Sequence, residues 1–450
     1  MPMFSLPYLD AMTAFAAFAQ DPGVVFLNGS RVHNGESRYS YLAIDPVCSL
    51  EAGASFVEVN GRREEGDPLS ILKRELQNFE THPIQSPVPF CGGAIGALGY
   101  ELGAHFETLP QPKRDDLALP LMHMGIYDTF AAFDHVERKL WVVGSDQHKT
   151  QSFAHRLQAV PKQEAPLEWT RGGVWSAEQN KSTSIKNIRT IIDYINAGDI
   201  LQANYTQKFR AKRPLGLDDL TLYRRLCALS PAPFSAFLRC GHVTLAGISP
   251  ERFLRLRTDR HLEAWPIKGT RARDHDPVRD CQLAEELKES TKDYAENLMI
   301  VDLMRNDLAR VCEIGSVHVS RLCELETFAS VHHLVSCIEG RVCHEHHPVD
   351  VLRATFPGGS ITGAPKIRAM EIIHELEPSP RGYYCGCLGW IGFDGAMDMS
   401  MTIRTLTMTD DTLIAQAGGG IVADSDPDAE YEECMIKIEP LLQTLTRGRP

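Results

Sequence analysis

The chain has 450 residues, 43% hydrophobic and 23% charged, an ordinary globular composition with material for a large core. Its 46 Lys+Arg against 59 Asp+Glu leave a net charge of −13, which argues against nucleic acid as the main partner, because phosphate binding needs a basic surface. Twelve Cys are scattered without the spacing of a disulfide framework, and no apolar run approaches the roughly 20 residues of a membrane span. We therefore expect reduced thiols, no membrane segment and a cytoplasmic protein. The segment AFAAFA at 14–19 imitates the end of a signal peptide, but no Lys or Arg precedes Arg31, so the basic leader region is missing.

Residues 1–160 alternate short apolar runs with turn signals (VVFLNG, YSYLAIDP, GGAIGALGY, KLWVVGSD) and read as strand-rich. Residues 161–184 are polar, with Pro, Gly and Ser, and read as a connector into a third region, 185–446. A helix follows, with Ile185, Ile188, Ile191, Ile192 and Ile195 on one face, Ser and Thr before it and Gly198 after it. Leu201, Ala203, Tyr205 and Phe209 then alternate with Gln202, Asn204, Thr206 and Lys208, the period of a strand. More strands are expected near 243–256 and 261–268. A long helical stretch runs from Pro277 to Val311, its second half opening at Ser290 with Asp293 three residues on. The last helix starts with Asp426 as cap and Pro427 in its first turn, and carries a stripe of Tyr431, Met435, Ile438 and Leu442. Mixed strands and helices without strict βαβ alternation indicate an α+β architecture.

Several strings carry chemistry. In Pro266-Ile267-Lys268-Gly269-Thr270 the Lys is bounded by an apolar strand and a Gly; desolvation would make it a nucleophile or base, whereas the bland alternative is a solvated strand end. Glu251, in Ser249-Pro250-Glu251-Arg252-Phe253, is either a general acid at a turn or the surface partner of Arg252. Glu296 and Glu433 lie on separate helices; two such carboxylates suit Mg²⁺, or else Glu296 complements a helix start and Glu433 pairs with Lys437. The Gly-rich strings 357–366 (PGGSITGAPK) and 418–422 (GGGIV) are either anion cradles or tight turns; the first lacks the Gly-Lys-Ser/Thr of a Walker A loop. Gly386-Cys387-Leu388-Gly389 imitates the nucleophile turn of a glutamine amidotransferase, but its aromatic flanks favour a core strand. Adjacent ligands in Cys343-His344-Glu345-His346-His347 lack metal-site spacing and favour a solvated loop.

In this order the strings SPERF, PIKGT, AENLMIVDLMRND, HHLVS, PGGSITGAPK, MDMSMTIRT and AGGGIVADSDP resemble the chorismate-utilising enzymes. That family includes anthranilate synthase component I, aminodeoxychorismate synthase component I, isochorismate synthase and salicylate synthase. The resemblance is strong over about 185–445 and looser before it. It implies one intertwined α+β unit of two large packed sheets with outer helices, so that the connector marks a surface excursion. Two positions discriminate within the family. Aminodeoxychorismate synthases carry Lys in PIKGT where anthranilate synthases carry Ala, and here it is Lys268. Isochorismate and salicylate synthases place a Lys base where this chain has Gln202. Both imply amination at C4 of chorismate.

The resemblance further implies Glu251 as general acid, Lys268 as nucleophile at C2, and His333 as an active-site histidine. It implies Mg²⁺ held by Glu296 and Glu433, with Gly419 and Gly420 at the ring carboxylate. Tyr384, Arg404 and Lys437 are implied at the enolpyruvyl carboxylate, and Thr362 and Gly363 along the pocket wall. Because no amidotransferase domain is evident, it implies a heterodimer with a separate glutamine amidotransferase subunit that delivers ammonia. Relatives also hold an amino acid, tryptophan in some, in the N-terminal region. The alternatives are anthranilate synthase component I, isochorismate synthase, a non-catalytic amino-acid-binding regulator on the same fold, and a nucleotide-binding protein suggested by the Gly-rich loops.

Overall fold

Turn-punctuated apolar runs assemble into two antiparallel sheets of twelve strands each in the computed structural model, which describes residues 2–29, 37–79, 86–110, 113, 116–162, 167, 172–327 and 331–446. The first sheet sets Tyr39–Ala43 and Val25–Asn28 beside Phe234–Cys240 and Val243–Ser249. It continues through Thr405–Met408 and Thr412–Ile421 to Gln202–Lys212. The second runs from Ile267–Ala272 and Val331–Arg341, through Met397–Met401 and Cys387–Gly392, to Gly93–Leu98 and Met122–Tyr127. Strands from 1–160 and from 185–446 thus share both sheets, which is the intertwined α+β unit expected. Part of the connector, 163–166 and 168–171, lies outside the described residues. Its end pairs Ser176–Ala177 with Arg210 and Phe209.

The sheets pack face to face on Phe130, Leu238 and Leu245 from one and Ile95, Tyr127 and Leu388 from the other. Outside the first sheet, Leu222, Leu226, Ile438 and Leu441 of two helices cover Phe237, Ala246 and Leu406. Outside the second, Ile300, Met304, Leu308 and Leu352 cover Leu254, Leu262 and Ile338. Each fully buried Leu or Ile contributes about 1.5–3 kcal/mol of transfer free energy, so the layering is hydrophobically driven.

Three local expectations shift. Helix Lys181–Asn196 is capped by Asn180, whose side chain accepts from Thr183 N, so the Ser and Thr residues fill its first turn. The stretch 277–311 is two helices, Pro277–Lys288 and Thr291–Ala309, and Ser290 caps the second through Asp293 N. In helix Pro427–Thr446 the fully buried line is Glu430, Cys434, Ile438, Leu441 and Leu445, while Tyr431, Met435 and Leu442 flank it. The stripe turns because Glu430 is drawn inward by Ser425 (2.7 Å) and Lys292 (3.0 Å), a polar anchor that apolar periodicity cannot show.

Strand Gln202–Lys212 is buried on both faces at its start, so Gln202, Asn204 and Thr206 point into a polar interior. Cys387 opens a wholly buried strand, Cys387–Gly392, and burial pushes its thiol well up, as a core strand requires. His347 caps helix Pro348–Thr355, and among the described residues no group of three His, Cys, Asp or Glu is placed to hold a metal. Likewise, no described helix is long and apolar enough to cross a membrane.

Candidate active site

Lys268 lies on edge strand Ile267–Ala272, opposite Leu334, and the register slips between Lys268 and Thr270. The slip falls at Gly269, whose φ is +75° and where a Cβ would sit 2.9 Å from Leu287 and 3.0 Å from Asp293. Helix Thr291–Ala309 packs on this strand and brings up Glu296. Lys268 Nζ donates to Glu296 Oε1 at 2.8 Å, with the two side chains 10% and 12% exposed. Gln202 Nε2, from the neighbouring sheet, donates to the same oxygen at 2.9 Å. Strand, helix and second sheet therefore meet at one carboxylate.

Glu251 follows strand Val243–Ser249 and is buried. Burial pushes its carboxyl up to about 7, against the opposing pull of a hydrogen bond to Ser360 and the charges of Lys268 and Lys437. His333, on strand Val331–Arg341, shares a 2.9 Å hydrogen bond between Nδ1 and Thr270 Oγ1. Burial, helped by the Arg404 charge, pulls its imidazole down to about 4, so it is neutral at pH 7.

Strand Thr412–Ile421 ends in the three glycines. A Cβ on Gly420 would fall 1.9 Å from Gln202 Nε2 and 2.5 Å from Glu296 Oε1, so that space belongs to the Gln202–Glu296 contact. Position 419 has ordinary clearance, 3.7 Å to Lys437 Nζ and 4.0 Å to Glu433 Oε1. Lys437 pairs with Glu433 at 2.7 Å and donates to Gly418 O at 3.2 Å. We expect Gly420→Ala to cost at least tenfold in turnover while Gly419→Ala leaves the fold intact, a contrast that paired melts and rate assays would show; equal rates in both variants would contradict this geometry.

Arg404 sits at the sheet junction with φ +49°. Burial lowers its pKa, and no carboxylate of the described residues offsets this. A guanidinium presents forked donors whose geometry suits a planar carboxylate. Thr362 and Gly363 line the wall beside Gln202: Asn204 N donates to Thr362 O at 2.8 Å, and Gly363 pairs with Ala203. The Thr362 hydroxyl is itself spent on Gly358 O at 3.0 Å. Tyr384 is buried beside Cys385, Arg381 and Cys434.

Lys437 links most of these groups electrostatically, touching the environments of Glu251, His333 and Glu433. Lys268, Glu251, Glu296, His333, Arg404, Glu433 and Lys437 are thus joined by direct bonds or by one another's charge around one recess. Gly419, Gly420, Thr362 and Gly363 border the same strand, Gln202–Lys212, while Tyr384 neighbours Cys385, Arg381 and Cys434 and the Glu433 side chain is 55% exposed. Sequence reasoning missed Ser360, which bonds Glu251, and Thr270, which orients His333; both stood inside quoted strings. It also missed Lys292 and Glu430, which had no signal beyond their helix positions.

A second cavity of about 400 Å³ lies between the sheets. Tyr39, Tyr41, Phe234 and Trp390 supply aromatic walls, and Arg252, paired with Asp398 at 3.0 Å, also lines it. It draws on 233–258 and 388–400 as much as on the N-terminal region.

The sequence profile of the chorismate binding enzymes matches residues 30–443. The chain belongs to this family. It is 41% identical over 438 residues to aminodeoxychorismate synthase component 1 of Salmonella typhimurium, covering 96% of this chain and 95% of that one. It is 38% identical over 442 residues to anthranilate synthase component 1 of Thermus thermophilus, with the same coverage. The crystal structure of anthranilate synthase component I from Streptococcus pneumoniae superimposes with a TM-score of 0.80 at 32% identity, over 90% of this chain and 92% of that one.

Proposed function

We propose that the protein is the chorismate-aminating component of an aminodeoxychorismate synthase, converting chorismate and ammonia to 4-amino-4-deoxychorismate for p-aminobenzoate and folate synthesis. Overall identity separates the two aminating branches poorly, at 41% and 38%. The observation that carries the choice is Lys268, an amine in a pocket beside Glu296 and within the field of a protonatable Glu251. Gln202, a neutral amide bonded to Glu296, disfavours activation of water and so isochorismate synthesis.

In this reading the chorismate carboxylates meet Arg404, Lys437 and the Gly419–Gly420 backbone, with Lys437 beside Gly419. Lys268 Nζ bonds to C2, both ring double bonds shift towards C4, and the 4-hydroxyl leaves as water with the proton of Glu251. Ammonia then bonds to C4, both double bonds shift back as the bond from C2 to Lys268 breaks, and the new C4 ammonium returns a proton to the Glu251 carboxylate. The covalent adduct divides one difficult displacement into two easier ones. A carboxyl that titrates near 7 serves both as donor and as acceptor at neutral pH.

Glu296, beside Gly420, and Glu433, beside Gly419, are hard oxygen donors that would hold Mg²⁺ in exchange for part of their pairing with Lys268 and Lys437. The ion would offset the charge of a substrate carboxylate. Ammonia would come from a separate glutamine amidotransferase subunit in a heterodimer, in the cytoplasm. Loss of chorismate on incubation with ammonium and Mg²⁺ tests the class of reaction; a chain that leaves chorismate untouched would be a binding regulator instead.

The inter-sheet cavity is proposed to hold an amino acid, with tryptophan as the occupant its aromatic walls suit. Tryptophan at 100 times its Kd would stabilise the fold by about 2.7 kcal/mol, visible as a raised Tm. Asp398→Asn, which breaks the Arg252 pair, should remove most of that rise; an unchanged Tm with tryptophan in the wild type, on protein shown by mass spectrometry to carry none already, would dismiss this occupant.

A further inference from the structure

Arg381 is wholly enclosed, its side chain 1% exposed and paired with Glu377, itself 6% exposed. Its Nε and Nη2 reach the two oxygens of Glu377 at 2.9 and 2.7 Å. Nη1 donates to Ile361 O at 3.0 Å and Nη2 to Asn204 O at 2.5 Å. The guanidinium also stacks over Tyr100, 4.6 Å from the ring centre. Glu377 in turn accepts from Thr206 N at 3.1 Å and Thr206 Oγ1 at 2.8 Å. The backbone of Arg381 is held as well, its N by Glu101 at 2.6 Å and its O by Gln416 at 2.8 Å.

Each segment tied to this guanidinium carries part of the recess. Ile361 precedes Thr362. Asn204 follows Gln202 by two residues, pairs in register with Gly420, and donates to Thr362 O. Arg381 itself precedes Tyr384 by three. Three substrate-lining segments from three distant parts of the chain therefore share one cation as their common spacer.

Stability alone is a poor reason for such a pair. Burying two charges costs about as much as their attraction returns, and exchanging a buried pair for apolar side chains of similar volume is often neutral. Position is the better reason, because a misplacement of about 1 Å at reacting groups costs on the order of 10²-fold in rate. We infer that the Arg381–Glu377 pair is a positioning device that sets Thr362, Gln202 and Tyr384 at the separations chorismate binding needs. The inference rests on chorismate being the substrate of this recess.

The test compares wild type, the apolar double variant Arg381→Met/Glu377→Leu and the charge-keeping Arg381→Lys, by thermal melt and by steady-state kinetics with chorismate, ammonium and Mg²⁺. The double variant takes these partners from Thr206 N and from the Ile361 and Asn204 carbonyls, so it should melt below wild type, and the folded protein should show KM for chorismate raised at least tenfold with a smaller change in kcat. Arg381→Lys cannot span the carboxylate and both carbonyls, so it should raise KM in the same direction, and it carries the test if the double variant does not fold. Unchanged KM in the folded variants, or activity lost only in proportion to unfolded protein, would overturn the inference. Absence of chorismate turnover by the wild type would instead overturn the functional reading on which it rests.

Discussion

Lys268→Arg should be inactive and yet as stable as the wild type. A guanidinium can keep the ion pair with Glu296, now 2.8 Å long, but it does not act as an amine nucleophile. The expected loss in kcat/KM is roughly 10²–10⁴-fold, the range typical of removing one group that acts directly on the reacting atoms. Lys268→Ala should lose as much rate and also some stability, because Glu296, 12% exposed, would keep only Gln202 as a close partner. Leaving a buried carboxylate short of one partner costs about 1–3 kcal/mol. The two variants thus separate the chemical role of the amine from its structural one. Wild-type rates in the Arg variant, measured with ammonium as nitrogen source, would show that Lys268 is only a counter-ion.

Glu251→Gln gives the second large effect, in opposite directions for activity and stability. The carboxyl titrates near 7 in the folded chain, against 4.5 for the free group, mainly because it is buried. Between those values the unfolded chain releases the proton while the folded chain retains it. Folding stability therefore falls as pH rises through this window, by about 3 kcal/mol in total, and is fully present only below 4.5. An amide has no such dependence. The variant should be more stable than wild type at pH 8, with the difference shrinking towards pH 4.5, while turnover drops about 10²–10⁴-fold. In the wild type, the step that needs a proton donor should slow as pH rises above 7. Melts at pH 5 and pH 8 would check the sign; a variant less stable than wild type at both would contradict the assignment of a buried, protonatable carboxyl.

How much of this was legible in sequence depended on the scale of the signal. Strand Gln202–Lys212 and helix Thr291–Ala309 were readable because their patterns are local: alternation in one, a Ser290 cap in the other. The joint packing of the two sheets came from a resemblance, since strand order such as Thr405–Met408 beside Val243–Ser249 leaves no periodic trace. Lys268, Glu251 and the three glycines stood out as residue types in telling strings. Their convergence was invisible, because Gln202 and Glu296 are separated by 94 residues and meet only through the fold. Residue type also hid the work of Glu430, an acid on a helix that reads as surface and is in fact the inward anchor of the last helix. Likewise Arg381, three residues before Tyr384 and never singled out in the sequence, carries four side-chain hydrogen bonds that only the packed structure reveals.

The most direct test of the proposed activity is the identity of the product. Purified protein would be incubated with chorismate, Mg²⁺ and ammonium, and the products separated and weighed by mass spectrometry. The account predicts 4-amino-4-deoxychorismate, with the enolpyruvyl group retained on the ring, from the wild type and little or none from Lys268→Arg. Anthranilate or isochorismate from the wild type would contradict it, keeping the family while moving this chain to another branch.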